Sequence, residues 1–289
     1  MRISLTSVFV ALGLSTTAQA DIGPDTASAM QAYYNATPEQ CGKAPAFLCS
    51  GILLRTTRPS TEYHTWDHSP NTRKKGGVAF SYLRADTPIH ALAEGASSGF
   101  TLTPRRHRAE GTMPYRVLCA YPTDGDTWTR DVFGCGDNAQ TESVEQFCHE
   151  HGIHTAEAWI ERYEQTEGPA HQRYFAQCAF DVRSSRGQAA VTDFYQSLRV
   201  MQLMPERPFP WNEMVIGAWD ESRSNLLPIQ SFFHVTGQWN GLRNAQFDQQ
   251  DWFTTTGKFV PVIEITLPSD DQPARFTYHA GEQVVTVPE

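Results

Sequence analysis

Apolar residues along the chain follow either a strand-like or a helical pattern. The change from the strand-like pattern to the helical one and back divides the chain into thirds. Short runs rich in β-branched and aromatic residues occupy 51–55, 78–84 and 116–121, each bounded by turn residues. From 142 to 204 the apolar spacing is helical. Strand-like runs then return, and the order of strands, helices and strands predicts an α+β fold with a mixed or antiparallel sheet.

The same patterns predict further elements at both ends of the chain. A helix is expected over 26–35, where Pro38 closes the segment. Two stretches are rich in polar and turn residues and predict loops, at 56–77 and 122–138. The expected later strands are 214–219, 229–235, 260–267, 275–279 and 283–287.

The N-terminus has the pattern of a secretory signal peptide. Arg2 precedes an apolar stretch over 5–14, and Ala18-Gln19-Ala20 offers the small residues that signal peptidase recognises. We expect cleavage after Ala20 and a periplasmic or secreted protein. Residues 21–289 are then interpreted as a single catalytic domain.

Composition excludes several classes of protein. The chain has 289 residues, of which 40% are hydrophobic and 19% charged, so it is long and apolar enough to bury a core. Its net charge is −9 without a broad cationic segment, which argues against nucleic-acid binding. Beyond the leader no run approaches the roughly 18 to 20 apolar residues of a membrane-spanning helix.

All six cysteines follow the predicted cleavage site, and their even number favours three disulfides in an exported protein. Their spacing does not repeat a CxxC pair, so structural zinc is not expected. The connectivity is open from sequence alone. The favoured set closes three local loops: Cys41–Cys49, Cys119–Cys135 and Cys148–Cys178.

H-E-x-x-H and the nucleotide-binding glycine loops are missing from the chain. The one dense histidine cluster is His149, His151 and His154, whose spacing is poor for one helical face. We interpret it as a polar loop beside a disulfide and expect no metal site. A metal-dependent hydrolase using this cluster stays an alternative.

A stronger set of residues begins at Arg55, which ends a strand-like run and can hold a phosphate or carboxylate. The loop that follows supplies aromatic surfaces for a ring, and the cations Arg73-Lys74-Lys75 could reach phosphates. Ser81 lies on an apolar strand, on the face opposite its aromatic neighbours. The proposed ligand-binding residues are Thr56, Tyr63, His64, Trp66, Phe80 and Tyr82.

Glu213 begins a later strand and would meet Arg55 and Ser81 if their strands are neighbours. Such a set suits cleavage of the N-glycosidic bond of NAD, because a carboxylate stabilises the oxocarbenium-like ribosyl cation that develops. NAD is then a substrate, and no cofactor is expected. The segment 246–251, with Asp248, is the competing source of the carboxylate, on a helix whose one side carries Ala245, Asp248, Gln249 and Trp252.

Four blocks of the chain resemble the secreted bacterial halovibrin family, and the similarity covers most of the mature chain. They are PAFLCSGILLR at 45–55, GGVAFSYLR at 76–84, DFYQSLR at 193–199 and TGKFVPVI at 256–263. This resemblance implies an ADP-ribosyltransferase-like core, ADP-ribosyltransferase or NAD-glycohydrolase activity, and a toxin-like effector role with a possible protein acceptor.

The segment LRTTRP at 54–59 is similar to the first-strand arginine segment of cholera-toxin-like ADP-ribosyltransferases. That likeness implies Arg55 as the nucleotide-gripping arginine, Ser81 as the strand serine and Glu213 as the catalytic acid. Many transferases carry an acid or amide two residues before the catalytic glutamate, where this chain has Trp211. This departure from the transferase pattern favours hydrolysis of NAD over transfer of ADP-ribose to an acceptor. A non-catalytic, disulfide-stapled binding protein is the alternative from a different class.

Overall fold

The strands form where β-branched and aromatic residues cluster between turns. The computed structural model describes residues 22–87, 89–125, 135, 147–168, 177–204, 206 and 209–285. The strands within these ranges are β1 Ile52–Thr56, β2 Gly77–Leu83, β3 Ser98–Leu102, β4 Val117–Tyr121, β5 Phe180–Asp181, β6 Glu213–Gly217, β7 Ile229–Val235, β8 Val262–Thr266 and β9 Arg275–Tyr278. They make one sheet in the order β5-β4-β6-β2-β1-β3-β7-β8-β9.

Neighbouring strands run antiparallel except β7 and β8, which are parallel. A parallel pair needs a crossover, and a helix supplies it. The helices in the described ranges are α1 Ile22–Asn35, α2 Pro70–Lys75, α3 Ala156–Gln165, α4 Gln188–Leu203 and α5 Gly241–Thr256. The predicted α+β class with a mixed, mostly antiparallel sheet is therefore confirmed.

Helices α1 and α5 cover opposite faces of β7. Ser231 contacts Met30 of α1, whereas His234, three residues further along the strand, lies beside Gly241 of α5. Successive side chains of a strand point to alternate faces, so a separation of three reverses the side. The sheet is thus buried on both faces here, and α5 reaches from β7 to the loop that follows β1.

The three favoured disulfides are confirmed, since the model pairs Cys41 with Cys49, Cys119 with Cys135 and Cys148 with Cys178. Their Cα atoms are 5.6, 6.2 and 4.8 Å apart. Disulfides persist in oxidising compartments, which fits a periplasmic or extracellular protein. The predicted signal peptide, residues 1–20, lies outside the described residues.

No helix in the described part of the chain combines the length and the apolar character needed to cross a membrane.

Strand β2 changes partners half-way along its length. Its first four residues pair with β6, ending at Phe80 opposite Met214, and its last three pair with β1, beginning at Ser81 opposite Leu54. Strands β1 and β6 therefore both diverge from β2 near one point. The sheet opens there into a cleft, which positions the candidate site.

Two predictions from the sequence are wrong, and local hydrogen bonds explain both errors. The predicted loop 56–77 contains α2, where Pro70 starts the helix, the Ser69 hydroxyl accepts the backbone N–H of Thr72, and Gly76 ends it with a positive φ. The predicted strand 283–287 is wrong for its described part, 283–285. There the side chain of Gln283 bonds both backbone groups of Val262, which removes those groups from strand pairing.

The sequence patterns also missed β3, whose residues mix glycine and hydroxyl side chains with apolar ones. This strand is central to the sheet because it pairs with both β1 and β7. Gly99 allows that close approach, since any side chain at this position would collide with the backbone carbonyl of Arg55.

Candidate active site

The cleft at the divergence of β1 and β6 has a volume of about 430 Å³, within the range of small-molecule sites. One wall comes from β1 and the segment 57–66, here called the wall loop, and the other from β2 and the start of β6. Arg55, Ser81 and Glu213 all line it. Further described lining residues are Thr56, Thr57, Arg58, Glu62, Tyr63, Thr65, Phe80, Asp124, Trp211 and Asn212.

Arg55 is the first residue of β1 beyond its pairing with β2. Its Nη1 donates to the backbone carbonyl of Ala79 at 3.1 Å, and its guanidinium carbon lies 6.0 Å from the centre of the Phe80 ring. Among the described residues no carboxylate forms an ion pair with Arg55, and its buried Nε has no hydrogen-bond partner. Such a cation in a cleft is suited to an anionic ligand.

Burial lowers the pKa of Arg55 to about 10, although Tyr63 and Asp67 oppose this effect. The guanidinium therefore keeps its charge at neutral pH. Removing a charged group from water without a counter-ion is costly, and a bound anion would offset that cost. The arrangement favours an anionic ligand group, such as a phosphate or a carboxylate.

Glu213 is the counterpart of Arg55 on the other side of β2, because β6 pairs with β2 only as far as Met214. Its side chain is 5% exposed, and Oε2 accepts the backbone N–H of Gly125 at 2.9 Å. This hydrogen bond fixes the position of the Glu213 carboxyl group in the cleft. The cleft thus combines a half-buried arginine with a buried glutamate.

Ser81 forms a hydrogen bond with the backbone of the residue before Glu213 and not with the Glu213 carboxylate. The Ser81 hydroxyl donates to the carbonyl of Asn212 at 3.1 Å. The side chain of Asn212 in turn bonds both backbone groups of Tyr82, accepting from N–H at 2.7 Å and donating to C=O at 2.9 Å. Asn212, which sequence reasoning did not select, therefore joins β2 and β6 two positions beyond their last backbone pair and fixes the start of β6.

The proposed ligand-binding residues divide into three groups. Thr56, Tyr63 and Phe80 line the cleft. His64 and Trp66 instead line a neighbouring cavity on the other side of the wall loop, where their rings stack 4.5 Å apart. Tyr82 lines neither of these spaces, because it is buried in the core beside Ser50, Gly51 and Phe194.

The wall loop is tied to helix α5 by two aspartates. Asp248 accepts the hydroxyl of Thr57 at 3.1 Å and that of Thr65. Asp251 accepts Trp66 Nε1 at 2.8 Å and lies 2.7 Å from His64 Nδ1. The predicted side of this helix is correct, since Ala245, Asp248, Gln249 and Trp252 are its buried residues together with Gly241. Asp248 itself stands behind the cleft wall rather than in it.

The remaining candidate groups lie elsewhere. Arg73 forms an ion pair with Glu221, and none of the cations 73–75 is among the described lining residues of the cleft. In the histidine cluster, His149 pairs with Glu150 at 3.0 Å and stacks on Phe147. The described residues contain no group of three acidic, histidine or cysteine side chains arranged to hold a metal.

A scan against protein-family models matches no family, and no curated protein matches the chain. The resemblance to the halovibrin family therefore stays a prediction. The function is inferred from the cleft.

Proposed function

We propose that this chain is a secreted enzyme that cleaves the bond between nicotinamide and ribose in NAD. One observation carries the proposal: Arg55 and Glu213, each the first residue of its strand beyond the pairing with β2, line the same cleft. A cation without an acidic partner in the described residues suits pyrophosphate, and a buried carboxylate suits a developing sugar cation.

In the proposed step the bond between ribose C1′ and the nicotinamide nitrogen breaks, and its electron pair leaves with nicotinamide. Glu213 stabilises the positive charge on the ribose as it develops, because it is preorganised by the backbone of Gly125. The oxygen of water then bonds to C1′ and releases a proton. The products are nicotinamide and ADP-ribose.

Three aromatic residues of the cleft fit a ligand with two rings. Tyr63 and Phe80 supply surfaces near Arg55, and Trp211 lies on the side of Glu213, where its ring packs 5.4 Å from Phe209. Trp211 occupies the position at which many transferases carry an acid or amide. Water is therefore the proposed acceptor, and transfer to a protein is the secondary activity.

The split of the sheet beside β2 also supports an ADP-ribosyltransferase-like core. In this interpretation β1 and β6 form the two sides of the nucleotide cleft, and Ser81 positions the acid through Asn212. The resemblance to the halovibrin family agrees with this assignment and with a secreted, toxin-like role.

The test is nicotinamide release from NAD by the purified mature protein, with and without a chelator. We expect release that the chelator does not change. Glu213→Gln keeps the shape and loses the charge, so turnover should fall on the order of 10²-fold or more with a smaller change in NAD binding. Glu157→Gln, in an exposed ion pair with Arg199, is the matched control and should retain turnover.

Failure to release nicotinamide would favour the binding-protein alternative, and loss of release with chelator would favour a metal-dependent hydrolase. Retention of near-normal turnover by Glu213→Gln, together with its loss in Asp248→Asn, would reassign the catalytic acid to α5.

A further inference from the structure

The wall loop is held at both ends by a single carboxyl group. Thr57 and Thr65 are eight positions apart along the loop, yet their hydroxyls meet the two oxygens of Asp248. Asp248 is 2% exposed and belongs to a helix nearly two hundred residues later in the chain. Because one group closes the segment between the two threonines, its loss would release both hydroxyl contacts and leave the loop held at His64 and Trp66 by Asp251.

The held segment carries side chains into the cleft. Arg58, Glu62 and Tyr63 lie between the two clamped threonines, and all three line the cleft that contains Arg55. Tyr63 is also close enough to Arg55 to act on its charge. The position of the loop therefore determines the shape of the wall opposite Glu213.

We propose that Asp248 is a positioning residue, which holds the wall loop in the place that binds the nucleotide by joining Thr57 to Thr65. The inference deepens the proposed function and rests on it for the identity of the ligand. Asp248 needs no contact with NAD for this role, which distinguishes it from the catalytic acid.

Ionisation of Asp248 should favour opening of the loop, because the burial of its charge outweighs the two hydroxyl hydrogen bonds, which by themselves favour the ionised group. Burial raises the pKa of Asp248 to about 7, the hydroxyls of Thr65 and Thr57 lower it, and the charge of Asp251 one turn along raises it. A carboxyl group whose folded pKa exceeds its unfolded value contributes most below the unfolded value and loses that contribution as pH rises through the folded one. The clamp should therefore be tight at pH 5 and looser at pH 8.

The charged groups around this helix leave Asp248 without a cation of its own among the described contacts. His64 of the wall loop faces Asp251, whose other partner is Trp66. On the neighbouring strand β7, His234 faces Glu282 of the C-terminal segment. In the turn 221–226, Glu221 pairs with Arg73. Opening of the loop, with entry of water, is thus the available way to solvate an ionised Asp248.

Hydrogen–deuterium exchange of the intact mature protein at pH 5 and pH 8 tests this inference without relying on activity. The reporters are the N–H of Thr57, bonded to Ser98, and that of Asp67, bonded to His64. After correction for intrinsic exchange, their protection should fall on the order of tens of fold between pH 5 and pH 8. In Asp248→Asn the protection should not change with pH.

Asp251→Asn is the matched control, because it alters the neighbouring contact between helix and loop while leaving Asp248 in place. Its pH dependence should remain, shifted to lower pH because the charge of Asp251 raises the pKa of Asp248. If Asp248→Asn does not fold, Thr65→Val tests the same clamp by removing one hydroxyl, and protection at pH 5 should fall about tenfold. Constant protection in the wild type, equal pH dependence in Asp248→Asn, or unchanged protection in Thr65→Val would overturn the inference.

A kinetic measurement distinguishes failure of this inference from failure of the proposed function. If the chain releases nicotinamide, KM for NAD should rise from pH 5 to pH 8 in the wild type but not in Asp248→Asn. If no nicotinamide is released but the exchange results are as expected, the clamp stands and the reaction has been misassigned.

Discussion

The two walls of the cleft are fixed by different kinds of contact. On the β2–β6 wall, the side chains of Ser81 and Asn212 bond to backbone groups. On the opposite wall, Thr57 and Thr65 meet a buried carboxyl group of α5. Backbone amides and carbonyls do not titrate near neutral pH, whereas a carboxyl group does. One wall should therefore be rigid over the physiological pH range and the other should not.

This difference suits the separate tasks proposed for the two walls. Glu213 must face one atom of the ribose as charge develops, and preorganised electrostatic groups act best when they do not move. The wall loop must admit and release a nucleotide, and segments that act in this way belong to the less stable parts of a protein. Both needs are satisfied when the acid lies on the β2–β6 wall and the contacts that change with pH lie on the wall loop.

The largest expected effect is the response of global stability to pH through Asp248. Its pKa of about 7 in the folded chain, against 3.8 for the ordinary group, corresponds to a loss of about 3 kcal/mol between pH 4 and pH 7. The free energy of unfolding can be measured with urea at several pH values across this range. It should fall with rising pH by this additional amount in the wild type relative to Asp248→Asn. Parallel curves would contradict the contrast between the walls.

Most of the fold could be predicted because the sequence signals that carried it are local. Strand β7 was predicted with its observed limits, and each disulfide closes a loop between neighbouring cysteines. Strand β3 was missed because its composition is weakly apolar and its stability comes from two partners distant in sequence. The error at 283–285 has the same origin, since the backbone N–H groups of Val284 and Val285 bond to Gln249 of α5.

The candidate site likewise combines features that the local sequence predicts with features that depend on residues distant in the chain. Sequence reasoning selected Arg55, Ser81 and Glu213, and the topology brings all three to one cleft, although their catalytic roles stay predictions. The alternation of β2 could not reveal that Tyr82 would be enclosed by the core, because that depends on Phe194 of a distant helix. The bridging side chain of Asn212 was equally invisible, since its partners are backbone groups 130 residues away.

Asn212→Ala tests the rigid wall. Both backbone groups of Tyr82 lose their partner in a buried place, so the free energy of unfolding should fall by about 2 to 3 kcal/mol. Turnover should fall as well, because the start of β6 carries Glu213. Unlike the change at Asp248, this loss should be equal at pH 5 and pH 8 in denaturant titrations, and Asn225→Ala in an exposed turn is its control.

Arg55→Ala removes the cation that β1 places in the cleft. It should raise KM for NAD on the order of tenfold and also lower the rate, because a charge-assisted hydrogen bond to the ligand contributes about 1.5 to 3 kcal/mol. Steady-state nicotinamide release separates the two parameters. A change in kcat alone would mean that Arg55 does not bind NAD before the reaction begins. The pyrophosphate would then lie elsewhere in the cleft.

The smallest effect is expected at Arg73, which belongs to neither wall. Its guanidinium pairs with Glu221 and is 37% exposed, and exposed ion pairs contribute about 0 to 1 kcal/mol. Helix α2 is instead held by its capping serine and terminal glycine, which the substitution Arg73→Ala leaves intact. KM for NAD should change less than about twofold, within the range expected for a surface change away from the site. A tenfold rise in KM would show that the cations 73–75 reach the nucleotide after all, and that the ligand extends beyond the cleft between the two walls.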